Sequence, residues 1–449
     1  MKNMKVIVIG GSTAGMTAAS KLKRMLKNDV EIIAYQKFQY PSLGACGIPY
    51  YVGKHFDNAE RMIARTVEEF QNNGILVKTS CEVTRVDFKT KTIYGINYNT
   101  NQEFIDNYDK LIISVGATPR RLNLAGENAT NVFTGTTLEA AVELRSRLKK
   151  VKNVTIIGGG FIGLEFCESF GLARKRITLI EADKWISRKL LDEDMAQLLV
   201  NDLEKKGIKV KTNTKVTEFV VENNKVTKIK LSPQEEIATD LVLVAIGVVP
   251  ATKFLKTTDL KMNEFGAILV NSQFETNIKD VYAVGDCVMT KNIIDNKLSY
   301  MSLATIAAKN GKVLGNILAG KKDHFPGAIG TSIMQVFESE IARTGYTKEQ
   351  AILNGFNAKE IVVNGTDHTH YVADAKPVTI KIIYDQKNRI IVGAQIFGYN
   401  KASLRINALI PIIWTKTKIG EIEYLDLPYS PPFAKSVDVL NVALAKINE

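Results

Sequence analysis

Two stretches decide the fold: Val154-Thr-Ile-Ile157 running into Gly158-Gly-Gly-Phe-Ile-Gly163, and Val6-Ile-Val-Ile9 running into Gly10-Gly-Ser-Thr-Ala-Gly15. Each is a short apolar run that breaks into glycines and reopens as a helical pattern, to about Met25 in the first copy and Ala173 in the second. A second apolar strand follows each helix, at 30–35 and at 177–180. This strand–turn–helix–strand grammar is that of a nucleotide-binding unit. The copies lie 148 residues apart, Val6 to Val154, so the chain carries an internal duplication.

The second copy is the more complete. In Gly158-x-Gly160-x-x-Gly163 the first glycine makes the tight turn, the second lets backbone approach a pyrophosphate, and the third packs helix on strand. The helix N-terminus supplies N–H groups and positive potential for phosphates. Glu181, 18 residues past Gly163, can accept from the ribose hydroxyls and would repel a 2′-phosphate. NADH is therefore expected over NADPH, with Lys184 and Arg188 close enough downstream to offset part of that preference. The first copy departs twice: Ser12 stands for the middle glycine, and Gln36 stands where an acid is expected.

Apolar runs 110–116 and 241–247 close the two units, each ending in glycine, and Val281-Tyr-Ala-Val-Gly-Asp286 has the same form. Beyond Pro326, strand-like runs at 331–337, 360–364, 378–384 and 390–397 precede helical stretches near 402–415 and 434–447, an α+β module of another kind. Of 449 residues 45% are hydrophobic and 24% charged, which excludes general disorder. The longest apolar run, 241–251, is about half of the ~20 residues a membrane helix needs. Four cysteines without a CxxC pair give neither a disulfide scaffold nor a metal ribbon, so a cytoplasmic protein with free thiols and no metal is expected. The net charge of +12 favours an anionic partner, but Lys and Arg are scattered, so nucleic acid is not expected.

Ser114-x-Gly116-Ala-x-Pro119, Thr276 and the Gly285-Asp286 pair, in order after two nucleotide units, make the chain resemble the FAD-containing pyridine nucleotide–disulfide oxidoreductases over essentially its whole length. The resemblance implies an α/β architecture of two Rossmann-like domains, one for FAD and one for NAD, plus a C-terminal α+β dimerisation domain. The expected division is 1–118 and 248–325 for FAD, 119–247 for NAD(P)H, and 326–449 for the interface of a homodimer. It also implies that Gly10, Ser12, Gly15, Gln36, Gly116 and Asp286 hold FAD, Asp286 through the ribityl chain. Gly158, Gly160, Gly163, Glu165 and Glu181 would hold the nicotinamide nucleotide.

Pro41-Ser-Leu-Gly-Ala-Cys46-Gly-Ile-Pro-Tyr-Tyr occupies the place where two-cysteine relatives carry a redox pair. A solitary cysteine must form a mixed disulfide with a small thiol or a sulfenic acid. A position at a helix start would favour its thiolate. Cys81, Cys167 and Cys287 read as small buried hydrophobes. Single-cysteine relatives include NADH peroxidase, water-forming NADH oxidase and coenzyme A-disulfide reductase. Thr13 stands where the peroxidase has a histidine, which counts against that branch.

Pro428-Tyr-Ser-Pro-Pro-Phe433 is similar to the tyrosine–proline segment of coenzyme A-disulfide reductases, and Tyr371 matches the second tyrosine directed at the substrate disulfide across a dimer interface. Tyr371 and Tyr429 are the expected acids for the leaving thiolate, because the last histidine, His370, lies 79 residues from the end. Thr17, Arg24 and Ser42 match coenzyme A contacts, whereas Ala45 and Lys435 depart from the pattern. The expected reaction is FAD-dependent reduction of coenzyme A disulfide by NADH, or NADPH, through a mixed disulfide of Cys46 with coenzyme A. The alternatives are an oxygen-reducing NADH oxidase that cycles Cys46 through sulfenic acid, and a flavoprotein redox switch that binds a partner or nucleic acid.

Overall fold

The computed structural model describes residues 3–448. Its first sheet is fully parallel, in the order Val281–Ala283, Lys110–Ile113, Met4–Ile9, Val30–Tyr35, Ile75–Lys78. The central strand is the quoted apolar run, buried from Val6 to Ile9 because helices or sheets cover both faces. Helix α1 (Thr13–Leu26) lies on one face and packs lengthwise on a later helix. The chain then forms α2 (Ile48–Val52) and α3 (Val67–Asn72), and crosses to α4 (Leu138–Leu148).

The second parallel sheet repeats the plan: Lys209–Lys211, Arg176–Ile180, Asn153–Ile157, Leu241–Val244, Val132–Phe133. Helix α5 (Phe161–Leu172) follows its glycine loop and α6 (Glu193–Lys205) follows its second strand. The two copies coincide in detail. Gly10 donates to the Tyr35 carbonyl at 2.9 Å, and Gly158 to the Ile180 carbonyl at 2.8 Å. Their φ angles are +107° and +108°, and a Cβ at either would stand 2.2 or 2.4 Å from a carbonyl oxygen, of Ser114 or Ala245. Only glycine fits either turn.

The two strand–helix units are joined by an antiparallel ribbon of Ala117–Pro119 with Val248–Pro250. Each also carries a three-stranded antiparallel meander that the apolar pattern does not announce, over Cys81–Asp87, Thr92–Asn97 and Gln102–Asn107, and over Lys215–Glu222, Lys225–Ser232 and Glu235–Ala238. These strands alternate charged and apolar residues, with one face exposed.

After α7 (Ala304–Leu318), which is the helix that packs on α1, the chain builds an antiparallel sheet in the order Ser332–Val336, Ser339–Gly345, Ile390–Gly398, Pro377–Asp385, Ala358–Thr366. Helices α8 (Lys348–Leu353), α9 (Ile406–Thr415) and α10 (Val439–Lys446) complete it. Its core is separate, but the core around α5 reaches from Ile48 and Val52 to Met334 and Phe397, so α2, α5 and this sheet pack as one mass.

Candidate active site

The first groove fits a flavin dinucleotide. α1 and α5 begin directly at the glycine loops, at Ser12 and Gly160, and neither has a side-chain cap on its first N–H groups. Thr66, Thr137, Thr347 and Asp438 supply such caps to α3, α4, α8 and α10. α2, α6, α7 and α9 lack a side-chain cap as well, but α1 and α5 are the ones that open at a glycine loop, and so present unpaired donors and positive potential to a phosphate there. A Cβ at Gly15 would stand 2.1 Å from Ser114 Oγ, so that glycine is needed for the close approach of α1 to its sheet. Beside Gly116 and Gly160 the space is open, with nothing within 4 Å of a built Cβ.

The ends of the second strands differ as their residues do. Gln36 is buried and its amide is used by backbone: Oε1 accepts from Gly11 N–H at 3.1 Å, and Nε2 donates to the Tyr40 carbonyl at 3.1 Å. Gln36 thus shapes the loop. Glu181 accepts from Gly159 N–H at 2.8 Å and from Asp183 N–H at 2.9 Å, one on each oxygen, which leaves lone pairs for ribose hydroxyls.

Asp286 is half-buried just past the strand Val281–Ala283. Burial raises its carboxyl above the usual range, against the lowering influence of the nearby Ser302. A carboxyl that is desolvated and only partly bonded gains from a polyol donor.

Cys46 is exposed in the 3₁₀ turn Ala45–Gly47, just before α2. Ser42 N–H donates to the Gly11 carbonyl at 2.8 Å, and so stitches this segment to the first glycine loop. The expectation that a helix start favours the thiolate is overturned. The walls of the cleft desolvate the sulfur, and the charges of Glu165 and Asp286 add to that, so the thiol is pushed above its ordinary value despite a backbone donor. α2 has only five residues, too short a dipole to outweigh three opposing effects. The other thiols are buried and free; burial pushes that of Cys287 up to about 12.

Cys46, Glu165 and Asp286, far apart in sequence, are thus close enough for their charges to interact. Glu165 has company that the sequence reading missed. Glu168, one turn along α5, holds its carboxylate to Phe337 N–H at 2.8 Å and to His55 Nε2 at 3.5 Å. The His55 ring meets Tyr50 edge-on, at 5.4 Å. The signal was available: two acids three residues apart on an otherwise apolar helix share a face. Burial first, and Glu168 second, push the Glu165 carboxyl up to about 7. Burial also raises Tyr50, with Glu165 and Glu168 behind it.

Tyr371 and Tyr429 lie apart from this cluster. Both are exposed on the surface of the C-terminal unit, where the nearby Tyr371 raises Tyr429, and no described contact joins either to Cys46. Tyr424 and Phe433 are also strongly exposed there. Thr17 and Arg24 are two turns apart on one face of α1, Arg24 in solvent; Ser42 sits across the glycine loop at φ +51°. Among the described residues no cluster of three or more His, Cys, Asp or Glu could hold a metal, and no helix is long and apolar enough to cross a membrane.

Residues 4–311 match the family of pyridine nucleotide-disulphide oxidoreductases, and 331–440 its dimerisation domain. The chain is similar to the NAD(P)H sulfur oxidoreductase (CoA-dependent) of Pyrococcus abyssi, 31% identical over 98% of this chain and 97% of that one. It is 29% identical to the coenzyme A disulfide reductase of Staphylococcus haemolyticus, over 98% of each. A NAD-dependent persulfide reductase from A. fulgidus superposes with a TM-score of 0.95 at 32% identity, covering 99% of this chain and 83% of that one. With two glycine loops, an exposed cysteine within reach of the charges of Glu165 and Asp286, and a matching C-terminal unit, the chain belongs to the pyridine nucleotide-disulphide oxidoreductases.

Proposed function

We propose that the protein reduces a sulfur–sulfur bond carried by coenzyme A, coenzyme A disulfide first, with electrons from NADH. The observation that carries the reading is the convergence of one exposed thiol, Cys46, with Asp286 of the first groove and Glu165 of the second. Relatives named for coenzyme A-dependent sulfur chemistry support the substrate class.

Gly10, Ser12, Gly15, Gly116 and Asp286 would hold FAD, with Gln36 shaping its loop; Gly158, Gly160, Gly163 and Glu181 would hold the nicotinamide nucleotide beside Glu165. Bound FAD supplies the means to take a hydride from NADH and give an electron pair to a disulfide. The chain's own residues do the rest. In the resting oxidised form Cys46 Sγ is bonded to coenzyme A sulfur. Two electrons break that bond and release coenzyme A thiol and the Cys46 thiolate. The thiolate attacks coenzyme A disulfide, re-forms the mixed disulfide and expels a second thiolate. NADH, one proton and one disulfide thus give NAD⁺ and two thiols.

The leaving thiolate needs a proton, and phenols can give one. No described contact joins Tyr371 or Tyr429 to Cys46 within one chain, and in a homodimer the donors would be Tyr371 and Tyr429 of the partner subunit. The exposed Tyr371, Tyr424, Tyr429 and Phe433, together with the match to a dimerisation domain, support that assembly. Arg24, Thr17 and Ser42 would meet the phosphates and pantetheine of coenzyme A. Four unpaired thiols support a cytoplasmic setting. The functional units would be 1–118 with 248–325, 119–247, and 326–449.

The test is the intact-protein mass before and after reductant. One coenzyme A should leave each chain, from the Cys46 peptide, and coenzyme A disulfide should then oxidise NADH. An oxygen-sized mass on Cys46, with rapid NADH turnover by oxygen alone, would make the protein an oxidase instead.

A further inference from the structure

The loop after the strand Arg176–Ile180 is held from outside its own unit. The Arg188 guanidinium stacks over the Trp185 ring, 5.0 Å from its centroid. It donates through Nε at 3.2 Å and Nη2 at 2.6 Å to the two carboxylate oxygens of Glu349, with Asp183 more distant at 3.9 Å. Glu349 lies in the first turn of α8, 161 residues along the chain. α8 grips the same loop twice more. Lys348 N–H donates to the Asp192 carboxylate at 3.1 Å, and Gln350 Nε2 to the Lys189 carbonyl at 2.9 Å. The charge of Lys184 also reaches Glu349. Of the three cations in this loop, Arg188 is thus committed to a carboxylate supplied by the C-terminal unit, and the charge of Lys184 reaches the same group.

This pairing sits at the ribose end of the second groove. Glu181 is anchored to Gly159, and Ser187 Oγ donates to the Gly159 carbonyl at 2.8 Å, so Arg188 follows directly on a residue fastened to the glycine loop. A 2′-phosphate placed there brings about two negative charges beside Glu181 and needs a cation to bind. A guanidinium already forked onto a carboxylate can serve it only by giving up that pair.

We propose that Glu349 is a specificity-determining residue. By occupying Arg188, it withholds the guanidinium a 2′-phosphate would need and keeps the second groove for a dinucleotide with a free 2′-hydroxyl. The inference rests on the reading of that groove as the nicotinamide-nucleotide site. It places the preference in a contact between two units of the fold as well as in the residue at the strand end.

The test uses the holoenzyme, wild type and Glu349→Gln, titrated with 2′,5′-ADP and with 5′-AMP. Quenching of tryptophan fluorescence reports binding, since Trp185 lies under Arg188. In Glu349→Gln, 2′,5′-ADP should bind about tenfold more tightly, the scale of one freed charge-assisted pair. Its affinity for 5′-AMP should move by less than about threefold, as no phosphate contact changes. The kcat/KM for NADPH should rise in step with the 2′,5′-ADP affinity, and adding Arg188→Ala should remove the gain. If both probes bind and their ratio is the same in Glu349→Gln as in wild type, the proposal is overturned while the site reading stands. If neither probe binds, the site reading falls and takes the proposal with it.

Discussion

Ser169 Oγ donates a 2.6 Å hydrogen bond to the carbonyl of Pro49, and so fastens α5, which follows the second glycine loop, to α2, which follows Cys46. The contact is close because both partners are small where the helices meet: a Cβ on Gly53 would stand 3.2 Å from Ser169 Cα. The bond is buried, so Ser169→Ala should cost ~1 kcal/mol in chemical denaturation. Gly53→Val should cost more, ~1–3 kcal/mol, through overpacking. Equal stability of all three proteins would show that the two helices are held by apolar packing alone.

Cys46→Ser should leave FAD bound and still reducible by NADH, because Cys46 makes no hydrogen bond in either glycine loop. Disulfide reduction should disappear. Stopped-flow absorbance separates the two half-reactions, and residual disulfide turnover above a few per cent would point to another thiol.

Tyr429→Phe should slow disulfide reduction by the ~10²–10⁴ typical of a lost general acid, with flavin reduction unchanged. Tyr371 is near enough to raise Tyr429, so the two phenols influence each other. The single variants should therefore be less than additive in Tyr371→Phe/Tyr429→Phe. Mixing Cys46→Ser and Tyr429→Phe subunits tests the cross-subunit arrangement: heterodimers should regain one active site with both residues intact. No regain would place the proton donor within one chain.

Glu165 predicts a pH dependence of stability. Its folded pKa is about 7, against an ordinary 4.5, so the folded chain holds the proton more tightly than the unfolded one. The group's full contribution is present below the lower value and is lost as pH rises through the higher one. Glu165→Gln keeps the shape without that loss. The variant should gain on the order of 2 kcal/mol over wild type at pH 8, and little at pH 4.5. Denaturation curves at the two pH values give the comparison; a gain independent of pH would assign it to something other than ionisation.

The sequence by itself determined the two glycine loops, because part of their constraint is local: Gly10 and Gly158 have left-handed φ, and a Cβ at Gly15 or Gly163 would stand 2.6 or 2.0 Å from the carbonyl oxygen of Gly10 or Gly158. It also determined the solitary Cys46 and four strands of the first parallel sheet and three of the second, since strands buried on both faces are apolar without interruption, whereas Ile75–Lys78, Val132–Phe133 and Lys209–Lys211 were not marked by it. The strand Ser339–Gly345 escaped that reading although every residue of it is buried. Its polar members are satisfied, Glu340 from afar by Lys401 N–H and Ser403, and Arg343 by the Gly330 carbonyl and by that of Gly345 in the same strand.

Only the tertiary structure decided the electrostatics. The raised Cys46 thiol depends on carboxyls 119 and 240 positions away, at Glu165 and Asp286, and on how deeply the cleft desolvates them all. The Arg188–Glu349 pair and the Ser169–Pro49 bond join segments 161 and 120 residues apart. Burial and through-space charge are properties of the folded arrangement, and no local spacing in the chain encodes them.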